Sequence, residues 1–136
     1  MKVIVDTNII FSALLKEDNK YANTRIKNDF NHDFYAVYFT IVELFKHKEK
    51  IKKYSKLSDE DVLEVLYELL KHINIINDHI ISIPAWKQAM HLVHDIDIKD
   101  LPNVALTIEL DAKLWTNDTE LKVGLRAKGF DEFLDL

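Results

Sequence analysis

Acidic residues follow three apolar segments of the sequence, close to the points where those segments end. Asp6 comes directly after "VIV" at 3–5, Glu43 follows "FYAVYF" at 34–39, and Asp118 follows "KLWT" at 113–116. Carboxylates that converge on one point repel each other unless a cation joins them. Their oxygen atoms are the ligands that Mg²⁺ and Mn²⁺ prefer. If the fold brings these acids together, they could hold a hard divalent ion.

Helix capping offers a simpler explanation for each acid taken singly. Thr40 and Glu43 have the spacing of a capping box, in which a threonine caps a helix and a glutamate three residues later reaches back. Asp118 can cap the helix that it opens, and Asp6 or Asn8 can cap the first helix. Capping does not explain why these helix starts should crowd one edge of a sheet, so both interpretations stay open.

The elements that must position these acids alternate between strands and helices. Apolar, β-branched or aromatic segments predict strands at 3–5, 34–39 and 113–116, short extended pieces at 74–84 and a candidate last strand at 130–134. Helical patterns cover 8–15, part of 20–29, 40–56, 58–73, 84–95, 101–111 and 118–129. This order predicts an α/β fold with parallel strands and helices on both faces of the sheet. Because the carboxyl ends of parallel strands meet at one edge, the three acids are expected there together.

The composition indicates one globular domain over residues 1–136. A hydrophobic content of 48% with two glycines and two prolines excludes a disordered or fibrous chain. There is no cysteine, so a metal would have to be held by carboxylates, histidine or water. No apolar run approaches the roughly 20 residues of a membrane span, and no signal-peptide pattern opens the sequence. We therefore expect a soluble, cytoplasmic protein with no membrane partner.

The net charge of −5, from 23 acids and 18 bases, argues against a protein that coats nucleic acid by bulk charge. It does not exclude a nuclease, because metal ions bound to clustered carboxylates restore attraction for phosphate.

Four stretches of the sequence together resemble the PIN domain family of metal-dependent ribonucleases. They are "VIVDTNII" (3–10), "TIVELFKH" (40–47), "DIDIKDLPNVALTIELDAKLWTNDTEL" (95–121) and "LRAKGF" (125–130), in the expected order over nearly the whole chain. The resemblance implies a Rossmann-like, three-layer α/β/α domain with a mainly parallel sheet of four or five strands. It also implies an endoribonuclease site that holds Mg²⁺ or Mn²⁺ with four carboxylates, matched here by Asp6, Glu43, Asp100 and Asp118.

The third acid of this set has neighbours that could replace it. Asp95, Asp97 and Asp100 all precede an apolar helix, as in similar sequences. We assign the ligand to Asp100 because it opens the helix, where it could also act as a cap, and we keep Asp97 as a helper or substitute. The "LPN" that follows departs from relatives, which tend to carry a small or aromatic residue, and its chemistry is not explained by the sequence.

Two polar residues are candidates for orienting the ligands. Asn8 would orient Asp6 and Thr116 would orient Asp118, although either could simply be a turn or cap residue. In the implied mechanism, the bound metal turns a water molecule into the nucleophile. No side-chain nucleophile is then required, which suits a chain without cysteine or a G-x-S-x-G motif.

A run of lysines follows Glu43 and is a candidate clamp for RNA. If 40–56 is one helix, Lys46, Lys50 and Lys53 lie on the side that carries Glu43, whereas Lys48, Lys52 and Lys56 point elsewhere. The alternative is a solvated helix face with no role in binding. Small PIN proteins resemble VapC-like toxins of bacterial toxin–antitoxin pairs, so we expect single-stranded or structured RNA and an antitoxin as partners. A homodimer is left open.

Three other functions compete with this prediction. The six histidines show no zinc motif and are interpreted as surface or core residues: His32, His47, His72, His79, His91 and His94. A receiver-type phosphoacceptor domain needs an acid pair near the first strand, where this sequence has one acid. A PIN-like module that binds RNA or protein without catalysis is the remaining alternative, and metal binding would distinguish it.

Overall fold

The computed structural model describes residues 1–15 and 20–134 and contains a parallel sheet of four strands in that part of the chain. The strands are β1 (Lys2–Val5), β2 (Asp33–Val37), β3 (Ile73–Ile76) and β4 (Lys113–Trp115), in the spatial order β3-β2-β1-β4. β1 pairs with both β2 and β4, and its residues Val3, Ile4 and Val5 are fully buried. The first apolar run therefore forms a central strand covered on both faces, as its composition predicts.

Eight α-helices cover the two faces of the sheet in the described residues. They are α1 (Thr7–Leu14), α2 (Lys20–Asn28), α3 (Tyr38–Lys46), α4 (Lys48–Ser55), α5 (Asp59–Leu70), α6 (Ile83–Val93), α7 (Leu101–Glu109) and α8 (Thr119–Ala127). Buried residues of α1 to α5 form one hydrophobic cluster with Val3 and Val5, and those of α6, α7 and α8 form a second cluster with Ile4. Alternate residues of β1 thus face opposite cores, which confirms the three-layer α/β/α architecture.

The predicted helix over 40–56 is wrong in two respects. It begins earlier, because Tyr38 and Phe39 belong to α3 and not to the preceding strand. It is also interrupted at His47, whose φ of −99° and ψ of 11° lie outside the helical range, so that α4 starts at Lys48. No glycine or proline marks this break in the sequence.

The candidate last strand at 130–134 is reduced to a single bridge between Leu114 and Phe133. Leu114 donates its N–H to the carbonyl of Glu132, and Leu134 donates to the carbonyl of Leu114, so this segment covers the outer edge of β4. The extended pieces at 74–84 become β3, a 3₁₀ turn at Asp78–Ile80 and the start of α6.

No helix in the described residues has the length and apolar character needed to cross a membrane.

Candidate active site

A cleft of about 280 Å³ lies at the carboxyl edge of the sheet, beside the ends of β1 and β4. Five acidic side chains line it, all of them singled out in the sequence: Asp6, Glu43, Asp97, Asp100 and Asp118. The remaining lining residues are Thr7, Asn8, Phe11, His47, Lys50 and Lys99. The parallel topology thus brings together acids that are up to 112 positions apart in the chain, from Asp6 to Asp118.

Asp6 lies directly after β1 and is held by three side chains. Its Oδ1 accepts a hydrogen bond from Nδ2 of Asn103 at 3.2 Å, and its Oδ2 accepts from Oγ1 of Thr116 at 2.6 Å and from Nδ2 of Asn8 at 3.1 Å. Although Asp6 stands at the N-cap position of α1, its side chain makes no capping hydrogen bond. Burial raises the pKa of Asp6, and the nearby carboxylates of Glu43 and Asp118 act in the same direction, against the hydrogen bond from Thr116.

Asp100 lies at the start of α7 and lacks such support. It is 8% exposed, and its Oδ2 is buried without a hydrogen-bond partner among the described residues. Its side chain does not cap the helix. Burial, reinforced first by the charge of Asp6 and then by those of Asp97, Asp118 and Glu43, raises the pKa of Asp100 to about 7. Near neutral pH this carboxyl is poised between its charged and neutral forms.

Glu43 reaches the cleft from the second turn of α3, and the capping-box alternative for it is wrong. Because α3 begins at Tyr38, Thr40 lies inside the helix and cannot be its N-cap. The hydroxyl of Thr40 is buried with no partner in the described structure. The carboxylate of Glu43 instead accepts a hydrogen bond from Oγ1 of Thr7 at 2.7 Å, which ties α3 to the start of α1.

Asp118 and Asp97 combine a place in the cleft with a capping role. Oδ1 of Asp118 accepts from the N–H of Leu121 at 3.0 Å, so the capping interpretation is correct for this residue. Asp97 caps the 3₁₀ turn at Ile98–Asp100 by accepting from the N–H of Lys99 at 3.0 Å. Capping and a place in the cleft are therefore not exclusive.

Asn8 and Thr116 form one hydrogen-bonded group with Asp6. Nδ2 of Asn8 donates to Oγ1 of Thr116 at 3.1 Å, and Oδ1 of Asn8 accepts from the N–H of Asn117 at 3.1 Å. The hydroxyl of Thr116 also accepts from the N–H of Asp118 at 3.1 Å. These contacts join the end of β1 to the loop after β4, and they connect Thr116 to Asp6 through its side chain and to Asp118 through the backbone.

The basic residues of the cleft differ from the predicted set. Of Lys46, Lys50 and Lys53, only Lys50 lines the cleft. The prediction that all three lie on the side of Glu43 assumed one continuous helix, whereas the break at His47 separates α3 from α4. Lys99 and His47 also line the cleft, and sequence reasoning did not select either. Nothing in their local patterns distinguishes them from other surface residues.

Asn103 and Thr7 are the other contacts that sequence reasoning missed. Thr7 belongs to the "DTN" of the first motif, and its hydroxyl bonds Glu43. Asn103 belongs to the "LPN" that departs from similar sequences, and its amide bonds Asp6. For Asn103 the departure itself was the available signal.

The donor atoms of the cleft fit a hard divalent ion, since they are carboxylate oxygens with a surplus of negative charge and one oxygen without a partner. In the described residues, however, no three acidic or histidine side chains stand close enough to share one ion directly. Glu43 and Asp118 are each engaged by another donor, Thr7 and the N–H of Leu121. Each of these hydrogen bonds engages only one carboxylate oxygen, so it does not exclude a cation at the other. Direct ligation by three of the acids would require their side chains to move closer together, whereas Mg²⁺, which keeps several of its waters, could be held through water.

A sequence model of the PIN domain family matches residues 4–134. No curated protein gives a significant sequence match. Among solved structures, the chain is similar to one in the crystal structure of VapBC2 from Rickettsia felis bound to a DNA fragment from their promoter. This similarity covers 90% of the present chain and 92% of that chain, with 23% sequence identity and a TM-score of 0.66. The structural likeness establishes a shared fold, and the family match extends over almost the whole sequence.

Proposed function

We propose that this chain, which belongs to the PIN domain family, is a metal-dependent endoribonuclease that hydrolyses RNA phosphodiester bonds in the acidic cleft. The observation that carries the proposal is the unbalanced negative charge at this edge of the sheet. Five carboxylates meet there, and one of them, Asp100, is buried with an oxygen that lacks a hydrogen-bond partner in the described structure. Such an arrangement is costly unless a cation binds.

Asp6, Glu43, Asp100 and Asp118 would hold Mg²⁺ or Mn²⁺. A bound ion of this kind supplies a water of lowered pKa and neutralises charge on the phosphate. Within the chain, Asn8 and Thr116 fix the carboxylate of Asp6 through their hydrogen bonds. Asp97, which also lines the cleft, adds negative charge beside Asp100 and is the substitute for it as the third ligand.

RNA would meet positive charge as well as acids at the cleft. Lys50 and Lys99 lie in its lining, where their ammonium groups can contact backbone phosphates on either side of the scissile bond. Lys46 and Lys53 lie outside the lining and would act only on more distant parts of the strand. The substrate can be single-stranded or structured RNA.

We further propose that the protein is the toxin of a toxin–antitoxin pair in the cytoplasm. Its membership of the PIN domain family and its structural similarity to a chain in the VapBC2 structure support this assignment. An antitoxin could silence the site by placing an arginine or lysine among the acids, where it mimics the metal. Expression of the chain alone should then slow growth, and co-expression of the adjacent small gene should relieve the effect. If expression were harmless at levels where RNA cleavage is measurable, the toxin assignment would fail and the nuclease assignment would survive.

The nuclease proposal is tested with purified protein and end-labelled single-stranded RNA. Wild type should cleave with Mn²⁺ and stop when a chelator is added. Asp6→Asn, purified in parallel to control for contaminating nucleases, should not cleave. Glu64→Gln, which removes an exposed acid of α5 outside the cleft, should cleave at the wild-type rate. RNA binding without cleavage under all these conditions would instead support the inactive binding module.

A further inference from the structure

Asn103 is a buried amide in the first turn of α7, next to the cleft. It is 3% exposed, and its Nδ2 donates a hydrogen bond to Oδ1 of Asp6 at 3.2 Å. Its own Oδ1 is buried and has no hydrogen-bond partner in the described part of the chain. The residues that follow it in α7 are apolar and fully buried: Val104, Ala105 and Leu106. One half of the amide therefore makes a contact and the other half makes none.

The side-chain carbonyl of Asn103, unpartnered among the described residues, destabilises the folded state, so the amide must contribute something else. A buried carbonyl without a partner is unfavourable, and an apolar residue of similar shape at the same place would avoid that penalty. Packing in α7 therefore does not explain an asparagine. What an apolar residue could not supply is the donor to Asp6.

The hydrogen bonds to Asp6 divide its two oxygens into different roles. An ionised carboxylate has about four lone-pair positions, two on each oxygen. Oδ2 already accepts from both Thr116 and Asn8, so its positions are used. Among the described side chains, Oδ1 accepts from Asn103 alone, and the backbone N–H of Thr7 also donates to this carboxylate. Oδ1 thus has fewer side-chain donors than Oδ2. Oδ1 is therefore the atom of Asp6 that can face a cation, and Asn103 is the residue that sets its direction.

We propose that Asn103 is a positioning residue that holds Oδ1 of Asp6 in the orientation needed to bind the divalent ion. This inference rests on the proposed function, because it assumes that Asp6 is a metal ligand. Side chains that orient a ligand through a hydrogen bond typically change metal affinity by about 10- to 100-fold when they are removed. Asn103 does not touch the metal or the RNA in this role, so its effect should fall on metal affinity more than on the rate at saturating metal.

The test is calorimetric titration of the metal-free protein with Mn²⁺ in the absence of RNA. Asn103→Leu keeps the branched shape and removes the donor, and its dissociation constant should be about 10- to 100-fold weaker than that of the wild type. Thr107→Val is the matched control, because Thr107 is also buried in α7 and its hydroxyl donates to the backbone carbonyl oxygen of Asn103, not to Asp6. Thr107→Val should bind Mn²⁺ as the wild type does.

Cleavage assays with increasing Mn²⁺ supply a second readout. Asn103→Leu should need a proportionally higher Mn²⁺ concentration for half-maximal rate while approaching the wild-type rate at saturation. If Asn103→Leu does not fold, Asn103→Ala is titrated in its place with the same expectation. A dissociation constant within about twofold of the wild type in the folded variant would overturn the role of Asn103 alone, given the size of the expected effect. Absence of Mn²⁺ binding in the wild type would overturn the proposed function and this inference with it.

Discussion

Asp6 and Asp100 line the same cleft, yet the protein treats their carboxylates differently. Asp6 accepts hydrogen bonds from Asn8, Asn103 and Thr116, so both of its oxygens have partners. Asp100 has a buried oxygen with no partner among the described residues, and burial, followed by the nearby charge of Asp6, raises its pKa. The fold fixes one carboxylate in advance and leaves the other dependent on a proton or a cation.

The difference follows from where each residue enters the cleft. Asp6 ends the central strand β1 and lies between the loop after β4 and the first turn of α7, both of which supply donors. Asp100 ends a 3₁₀ turn and directly precedes α7, where the charges that act on it are those of other acids. The site therefore combines one carboxylate that is held by hydrogen bonds with another whose negative charge has no partner among the described residues. A bound cation would neutralise the second charge at a site that the first already orients.

The largest expected effect is on cleavage, where the two carboxylates should prove equally necessary. Asp6→Asn, Asp100→Asn and Asp118→Asn should each lower the single-turnover rate by roughly a thousandfold or more, because a lost ligand charge costs several kcal/mol of transition-state stabilisation. Circular dichroism should show a retained fold in each case. A variant that cleaved at the normal rate with Mn²⁺ would remove that residue from the ligand set.

The crowded negative charge should also make the free energy of unfolding of the metal-free protein depend on pH. The pKa of Asp100 is about 7 in the folded state against 3.8 for an ordinary aspartate, so between these values the folded state binds more protons than the unfolded state. The free energy of unfolding should therefore fall as pH rises, by roughly 2–3 kcal/mol between pH 5 and pH 8 from Asp100 alone. Asp6 acts in the same direction.

Urea unfolding with a chelator present measures this dependence. Carboxylates with a lowered pKa, such as Asp29, lose their contribution only as pH falls below the range used. Asp100→Asn should flatten the curve. A free energy of unfolding that rose from pH 5 to pH 8 would contradict the crowding of these acids.

Neutral substitutions should separate the two carboxylates by their effect on stability. At pH 8 without metal, Asp100→Asn should raise the free energy of unfolding by roughly 2 kcal/mol, because it removes a buried charge whose Oδ2 has no hydrogen-bond partner among the described residues. Asp6→Asn should gain little or lose stability, since its new NH₂ group would face donors from Asn8, Thr116 or Asn103. Equal gains in both variants would show that Asp6 is not held as the hydrogen bonds indicate.

The smallest expected effect is on RNA affinity and concerns the basic side of the cleft. Lys50→Gln should lower the slope of log affinity against log salt by roughly 0.7, the value for one phosphate contact with single-stranded RNA. Lys53→Gln is the matched control, because Lys53 lies on the same helix and outside the cleft lining. Fluorescence anisotropy with inactive Asp6→Asn as background measures both. Equal slopes for the two variants would show that Lys50 makes no specific contact with the RNA backbone.

The convergence of the acids could be predicted because it follows from local patterns and topology. The buried run before Asp6 identifies a central strand, and alternating strands and helices place the ends of parallel strands at one edge. The capping roles could not be decided in the same way. Thr40 and Glu43 satisfy a capping pattern that fails only because α3 starts two residues earlier, at Tyr38, although Tyr38 and Phe39 continue the strand-like pattern of the preceding residues.

Contacts between residues that are distant in the sequence could not be predicted either. The hydrogen bond between Asn103 and Asp6 joins residues 97 positions apart, and no periodicity indicates it. The interruption at His47 decides which lysine reaches the cleft, although the surrounding residues are ordinary helix formers. The contact of Asn103 is tertiary, and the break at His47 is not marked by any local propensity, so neither could be predicted from the surrounding residues.

The most direct test of a cation in this cleft is the thermal unfolding of the metal-free protein before and after addition of millimolar Mn²⁺ at pH 8. An ion that binds only the folded state stabilises it by about 2.7 kcal/mol at a hundredfold excess over its dissociation constant. The melting temperature of the wild type should rise by several degrees and that of Asp6→Asn should stay constant. Equal shifts in the two proteins, or no shift in the wild type, would contradict a metal centre at these acids.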